Sequence, residues 1–404
     1  MAKGPIIIAG AGHAGFQLAA CLRQEGFPDP IVLINDEGHL PYQRPPLSKA
    51  YLKGTGCAES LIFRPSKFYD DQKIELIADR VTSIERNAGQ VTLASGSALK
   101  YGHLVIATGA RNRMLALPNA TLDDVRHLRS LDESESLRHK MKVARHAVVI
   151  GAGFIGLEFA ATARRAGLEV DVVELAERVM SRAVTTEISK FFHERHAAAG
   201  VRIHLGVHVN SIAADGTKVT GVSLSDGTSL PADLVVVGVG VLPNVELAAQ
   251  AGLPTASGII VDENLLTADQ NISAIGDCAI YASQRFGGPL RLESVQNAAD
   301  QARCVAARLT GKNKIYDALP WFWSDQGPDK QIVGLTSGCD RVAVRGDRAQ
   351  GSFSIFCYRA NELIGIESVN RAGDHMFGRR LLGAGGSISP EQAADMTFDL
   401  KGVL

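Results

Sequence analysis

Two stretches of this chain combine residue types and spacing that suit one chemistry, the binding of a dinucleotide. Ile6 to Gly15 reads IIIAGAGHAG, and Val148 to Glu158 reads VVIGAGFIGLE. In each, a short β-branched strand runs into G-x-G-x-x-G and then an alanine-rich helix, the context that gives the glycine pattern meaning. Gly10 and Gly151 permit the tight turn after the strand. Gly12 and Gly153, lacking Cβ, let a pyrophosphate approach the backbone, and Gly15 and Gly156 let helix and strand pack closely. The helix N-terminus then meets the phosphates with unpaired N–H groups and the positive end of its dipole. A second strand ending in acid follows each copy: Ile31 to Ile34 before Asp36 and Glu37, and Val170 to Val173 before Glu174. A carboxylate there accepts hydrogen bonds from ribose hydroxyls. Two plain strand–turn–helix corners are the alternative, and the repetition of strand, spacing and acid argues against it. Two dinucleotide sites imply an electron path between two dinucleotides, of which a flavin and a nicotinamide are the usual pair.

The elements that must position these sites follow from the pattern. Phe16 to Glu25 reads as a helix closing on Gly26. Leu40 to Lys49, LPYQRPPLSK, holds three prolines and so reads as a rigid, extended segment unsuited to a central strand. Its Arg44 and Lys49 either touch an anionic or electron-accepting ligand or are solvated loop charges. A short helix over Leu61 to Asp71 and a hairpin over Val81 to Leu99 precede the buried strand Leu104 to Ala107, which ends in Ala107-Thr108-Gly109. After the charged helix Leu131 to Lys140 comes the second glycine motif, with helices over Leu157 to Ala166 and Ile188 to Ala199. Strands over Val201 to Leu205, Val207 to Ala213 and Val219 to Leu224 come next. The apolar strand Leu234 to Val239 is expected to return to the first domain, with Gly240 to Asn244, GVLPN, as a turn. Ile272 to Asp277 sets an acid directly after a glycine, where Asp277 could accept from a ribityl chain, cap a helix, or do both. Helix Asn297 to Thr310 follows, its dipole favouring a flavin that becomes anionic on reduction. From Leu319 onward strands and one helix form an α+β unit without a glycine motif.

The fold class is therefore α/β: two Rossmann-type nucleotide-binding domains, the second inserted in the first, plus a C-terminal α+β domain. The expected boundaries are 1–109 with 235–318 for the first domain, 110–234 for the second and 319–404 for the third. A length of 404 residues exceeds one ordinary core and agrees with this count. A formal charge of −1 gives no global argument for nucleic-acid or membrane binding, so a charged partner must be met by a local patch. The start, Met1 to Ile8, leaves no room for a cleavable leader, and no apolar run approaches the ~20 residues of a membrane helix, so a cytoplasmic protein is expected. Cys21, Cys57, Cys278, Cys304, Cys339 and Cys357 form no C-x-x-C or C-x-x-x-x-C pair, so neither a zinc site nor a redox disulfide is expected.

The two glycine motifs, ATG at 107 to 109, GVLPN at 240 to 244 and GDC at 276 to 278 resemble the two-dinucleotide flavoprotein superfamily of glutathione reductase. PYQRPPLSK at 41 to 49 and PWFWSDQ at 320 to 326 narrow the resemblance to the oxygenase-coupled ferredoxin reductases. It covers essentially the whole chain. It implies FAD held noncovalently at the first site and NADH at the second, with hydride passing to the flavin. Electrons would then leave singly to a [2Fe–2S] ferredoxin that serves a cytochrome P450 or similar oxygenase. Carried over by position, Gly10, Gly12, Gly15, Asp36, Arg44, Lys49, Thr108, Asp277 and Val295 would hold FAD. Gly151, Gly153, Gly156 and Glu174 would hold NADH. Glu158 with Lys49 would lie beside the isoalloxazine and position the nicotinamide, and Trp323, or else Trp321, would be the aromatic at the flavin.

Some of this is readable from the residues themselves. Val173-Glu174-Leu175 sets an acid at the adenosine ribose that would repel a 2′-phosphate, favouring NADH over NADPH, with Arg178 as the nearby counter-argument. Glu158, read as lying in the first helical turn, is also favoured there by the dipole alone. No cysteine pair can relay electrons by thiol exchange, so they must leave from the flavin itself. Arg303, with Arg308, Lys312 and Lys314, either meets the acidic carrier or is an ordinary helix surface charge. Competing functions are a rubredoxin reductase, an NADH oxidase, or a redox interaction protein of the apoptosis-inducing-factor type.

Overall fold

The computed structural model describes residues 4–312, 314–327 and 329–403; the Met1–Lys3 start used to argue against a leader lies outside them. Two compact units emerge, each discontinuous in sequence. The first comprises Met1–Gln43, Glu59–Arg111 and Val241–Ala318, and the second Arg44–Ala58, Asn112–Gly240 and Leu319–Leu404.

In the first unit the β-branched run Ile6–Ala9 is the centre of a parallel sheet ordered Ile272–Ala274, His103–Ile106, Ile6–Ala9, Ile31–Ile34, Ile74–Ile77. All four residues of Ile6–Ala9 are buried because helices cover parallel sheets on both faces. His13–Gln24 begins straight from the glycine turn and packs along Val295–Leu309. The hairpin expected over Val81 to Leu99 is a three-stranded meander, Val81–Glu85, Gln90–Leu93 and Ala98–Lys100. GVLPN is not a turn: Val241–Pro243 is a strand paired with Ala110–Asn112. Asn244 then donates from Nδ2 to the Thr108 carbonyl at 2.8 Å, while Thr108 Oγ1 donates to the Asn244 carbonyl at 3.0 Å. The ATG and GVLPN motifs thus clasp one another.

In the second unit the parallel sheet runs Val201–Leu205, Glu169–Glu174, His146–Ile150, Leu234–Val237, Val125–Arg126. This corrects the expected path of Leu234 to Val239. The strand pairs in parallel with His146–Ile150, Val148 opposite Val235, and stays in the second sheet. An all-apolar strand suits the centre of either sheet, so its composition could not choose between them.

The segment expected to be extended over 40–49 instead winds into a 3-10 turn at Pro45–Ser48, because two prolines with φ fixed near −65° suit the start of a helical turn. This turn groups with the second unit. There it is held by Ser134, whose Oγ donates to the Leu47 carbonyl at 2.8 Å.

The C-terminal segment forms an antiparallel sheet ordered Trp321–Asp325, Asp329–Gly334, Glu362–Val369, Ser352–Arg359, Arg341–Asp347. Alternation divides its residues. Val333 and Ile366 face helix Ala372–Gly383, where a Cβ on Gly378 would come within 2.7 Å of Ile366 Cδ1. Glu367 and Phe353 face the other way, against helix Thr186–Ala198: Phe353 meets Phe191 edge-on at 5.1 Å. The Glu367 carboxylate accepts from the Thr185 amide at 3.1 Å and hydroxyl at 2.6 Å and from the Thr336 hydroxyl at 2.9 Å. A buried anion at a helix N-terminus is favoured by the dipole and satisfied by its donors. Among the described residues no helix is long and apolar enough to cross a membrane.

Candidate active site

The glycine turns behave as their residue types require. A Cβ at Gly10 would sit 2.4 Å from the Ala107 carbonyl oxygen, and one at Gly151 2.5 Å from that of Gly238. A Cβ at Gly15 or Gly156 would strike the carbonyl of Gly10 or Gly151. Gly12 and Gly153 differ, since a Cβ there would meet nothing within 4 Å. Open space stands where a pyrophosphate would approach. The helices that follow, His13–Gln24 and Phe154–Arg165, carry neither a side-chain cap nor an acid in the first turn. Their first N–H groups are left for an anion. The residues present fit a dinucleotide at each cradle.

At the second cradle Glu174 ends its strand with Oε2 accepting from the Ala152 amide at 2.7 Å and Oε1 from the Ala176 amide at 2.9 Å. Arg178 is spent on structure, donating to the carbonyls of Val184 at 2.9 Å and Ser181 at 2.7 Å. At the first cradle the equivalent register sets Asn35, not Asp36, in the place of Glu174: Gly10 N donates to Ile34 O as Gly151 N donates to Val173 O. Asp36 stands one residue further on and is exposed. Asp277 lies in the 3-10 turn Gly276–Cys278, its carbonyl accepting from Arg291 at 3.1 Å. Val295 opens the helix capped by Ser294, whose hydroxyl accepts from the Asn297 amide.

Glu158 is the most heavily engaged of the expected site residues. Helix Phe154–Arg165 begins three residues earlier than expected, which moves Glu158 out of the first turn, so the dipole does not account for it. The residue is 3% exposed. Oε2 accepts from Lys49 Nζ at 2.8 Å and Ser48 Oγ at 2.5 Å, and Oε1 accepts from Ser324 Oγ at 2.6 Å. Lys49 also reaches the Pro45 carbonyl at 3.3 Å, so the 3-10 turn aims the cation. Arg44, just before that turn, donates to the Arg129 carbonyl at 2.9 Å. The structure thus brings Lys49 and Glu158 together and adds Ser48 and Ser324, which the sequence reading passed over. Ser324 leaves a trace in the chain, as a small polar residue set among the aromatics of Trp321–Asp325.

Trp323 and Trp321 lie on the opposite face of that strand, half-buried, with ring centroids 5.6 Å apart. The Arg379 guanidinium covers Trp321 at 4.3 Å. In the first unit Arg303 is paired with Asp300 at 2.7 Å and Lys312 with Glu25, and Arg303, Glu25, Lys312 and Lys314 line a surface recess of about 860 Å³. All six cysteines are free.

With this geometry in place, comparison with known proteins decides the kinship. Residues 4–302 match the family described as pyridine nucleotide-disulphide oxidoreductase, and residues 321–404 match a reductase C-terminal domain. The chain belongs to the pyridine nucleotide-disulphide oxidoreductase family. It is 50% identical to rhodocoxin reductase of Rhodococcus erythropolis over 98% of this chain and 93% of that protein. The crystal structure of the ferredoxin reductase for the CYP199A2 system of Rhodopseudomonas palustris is 66% identical, with a TM-score of 0.98 over 99% of both chains. The covalent putidaredoxin reductase–putidaredoxin complex is 40% identical to this chain, with a TM-score of 0.97 over 100% of this chain and 98% of that one. Membership of this family makes the protein a flavoprotein oxidoreductase of the FAD- and NADH-dependent kind.

Proposed function

We infer that the protein is an FAD-dependent NADH:ferredoxin reductase, passing electrons from NADH to a [2Fe–2S] ferredoxin that serves a cytochrome P450 or similar oxygenase. The observation that carries this reading is the pair of open phosphate cradles in one chain, at Gly12 and Gly153. Two dinucleotides on one protein serve to pass electrons between them. The outlet is supported by the full-length likeness to reductases named for rhodocoxin, putidaredoxin and a P450 system. FAD, when bound, takes a hydride as an electron pair and releases the electrons one at a time.

The residue roles follow the two cradles. Gly10, Gly12 and Gly15, with Asp36, Thr108, Asp277 and Val295, bind FAD, together with Arg44 and Lys49. Gly151, Gly153, Gly156 and Glu174 bind NADH, Glu174 accepting from the adenosine ribose. With Arg178 committed to backbone carbonyls, it does not offset Glu174 against a 2′-phosphate, so NADH is preferred. Lys49 and Glu158 position the nicotinamide, and Trp323 is the aromatic at the flavin. The first nucleotide fold is the FAD domain and the second the NADH domain, with 319–404 contributing the carrier-docking face near the flavin and Arg303 meeting the ferredoxin. The protein works in the cytoplasm.

The test is Glu158→Ala in anaerobic stopped-flow. Retained FAD with limiting flavin reduction by NADH slowed about tenfold or more is expected, since the variant loses the partner that orients Lys49. A limiting rate equal to that of the wild type would remove Glu158 from the site.

A further inference from the structure

The donors around Glu158 continue as a buried chain. Ser324 Oγ, which bonds Glu158 Oε1, lies 3.2 Å from Gln326 Nε2, and Gln326 Oε1 lies 3.0 Å from His196 Nε2. Ser324, Gln326 and His196 are each 5% exposed or less. Such a row has one permitted direction. A carboxylate only accepts, so the single hydroxyl hydrogen of Ser324 goes to Glu158, and Ser324 must accept from the amide N–H₂ of Gln326. Gln326 is then oriented with its oxygen towards His196, which must donate from Nε2. Gln326 Nε2 also faces Met180 Sδ at 3.5 Å, which accepts weakly and agrees with that orientation. Burial, with Arg165 and His193 nearby, lowers the His196 pKa and keeps the imidazole neutral at physiological pH.

The chain bears on a specific degree of freedom. Lys49 and Ser48 both hold Oε2 of Glu158, and about that oxygen the carboxylate is free to pivot. Ser324 is the donor on Oε1 and stops the pivot. Phe322, on the same face of the strand as Ser324, meets Phe154 at a tilt of 46° with ring centroids 4.7 Å apart, and the Lys330 ammonium lies over the Phe154 ring at 5.5 Å, so Ser324 is the hydroxyl that reaches Oε1 from this strand.

We propose that Ser324 is a positioning residue for hydride transfer, holding the Glu158 carboxylate in one orientation through a one-way hydrogen-bond chain that runs back through Gln326 to His196. The proposal rests on the role given to Glu158 under the proposed function. It adds that the orientation of Glu158 is set from the C-terminal segment and the helix Thr186–Ala198, neither of which carries a glycine motif.

The experiment compares Ser324→Ala, Ser324→Thr and Gln326→Leu with the wild type and with Glu158→Ala. Imidazole ¹⁵N spectra of histidine-labelled protein, with His196→Gln identifying the resonance, read the tautomer without any turnover. Wild-type His196 is expected to carry its proton on Nε2 alone, and Ser324→Ala to show both tautomers, because Gln326 is then free to turn over. In anaerobic stopped-flow, Ser324→Ala is expected to slow limiting flavin reduction by NADH about tenfold. FAD content, NAD⁺ affinity and reoxidation of dithionite-reduced enzyme should stay within twofold of wild type. Ser324→Thr should restore both readouts, and Gln326→Leu, which breaks the chain one link back, supplies the test if the threonine does not fit. A wild-type proton on Nδ1, or an unchanged reduction rate in Ser324→Ala, overturns the proposal. Should Glu158→Ala be slow while Ser324→Ala is not, the positioning role fails alone. If neither is slow, the reading of Glu158 fails with it.

Discussion

A carboxylate inside a protein is costly unless donors replace the water it gave up. Glu158 meets that demand with three donors, one of them a cation, and such density is a feature of sites that must hold charge in a fixed place. Glu174 is different: two backbone amides hold it at the strand end, and Arg178 is turned away. Glu174→Ala is expected to raise the KM for NADH about tenfold with a smaller change in kcat, since bonds to a charged acceptor are worth about 1.5–3 kcal/mol. It should also narrow the NADH-over-NADPH ratio of kcat/KM by a similar factor. Steady-state ferricyanide reduction with each nucleotide measures both, and an unchanged ratio would show that Glu174 does not choose the cofactor. Glu174 was legible because strand and acid are adjacent in sequence. The roles of Ser324 and His196 were not: Ser324 stood in the PWFWSDQ motif only as the residue that follows its aromatics, and the contact between His196 and Gln326 spans 130 residues.

At the scale of elements, β-branched runs and glycine turns were legible, and what depended on neighbours was not. The start of helix Phe154–Arg165 was obscured by Gly156 within its first turn, whose low propensity masks a turn that the cofactor cradle requires. The turn at Pro45–Ser48 was read as extended because proline excludes a central strand without saying what replaces it. Strand His103–Ile106 carries a buried imidazole whose pKa is pushed down to about 3, first by burial and then by Arg308. Arg308 donates to Ser273 Oγ at 2.6 Å, and that oxygen lies 2.9 Å from His103 Nε2, so the buried ring sits beside a cation and is held neutral. The unfolded chain binds this proton near pH 6.5 and the folded one only near 3. Stability therefore falls as pH drops below 6.5 and continues to fall towards 3. His103→Met is expected to flatten that part of the Tm-against-pH curve relative to the wild type. Parallel curves from pH 7 to pH 4 would show that His103 does not contribute.

For the whole molecule, the repeated motif made two nucleotide-binding folds readable from the chain, whereas the points of passage between them were not. Leu234–Val237 belongs to the second sheet because register, not composition, places it, and register is a property of partners. The charge of the chain is nearly balanced, 42 basic against 43 acidic residues, so recognition of a carrier falls to local groups and not to a global field. The central claim is that electrons enter from NADH as a pair and leave to an iron–sulfur protein, with no thiol between. The most direct measurement is anaerobic reduction of the yellow protein with one equivalent of NADH, followed by rapid mixing either with an oxidised [2Fe–2S] ferredoxin or with air-saturated buffer. The flavin should be reoxidised by the ferredoxin much faster than by oxygen. Rapid reoxidation by oxygen with none by the ferredoxin would contradict the account and point to an oxidase.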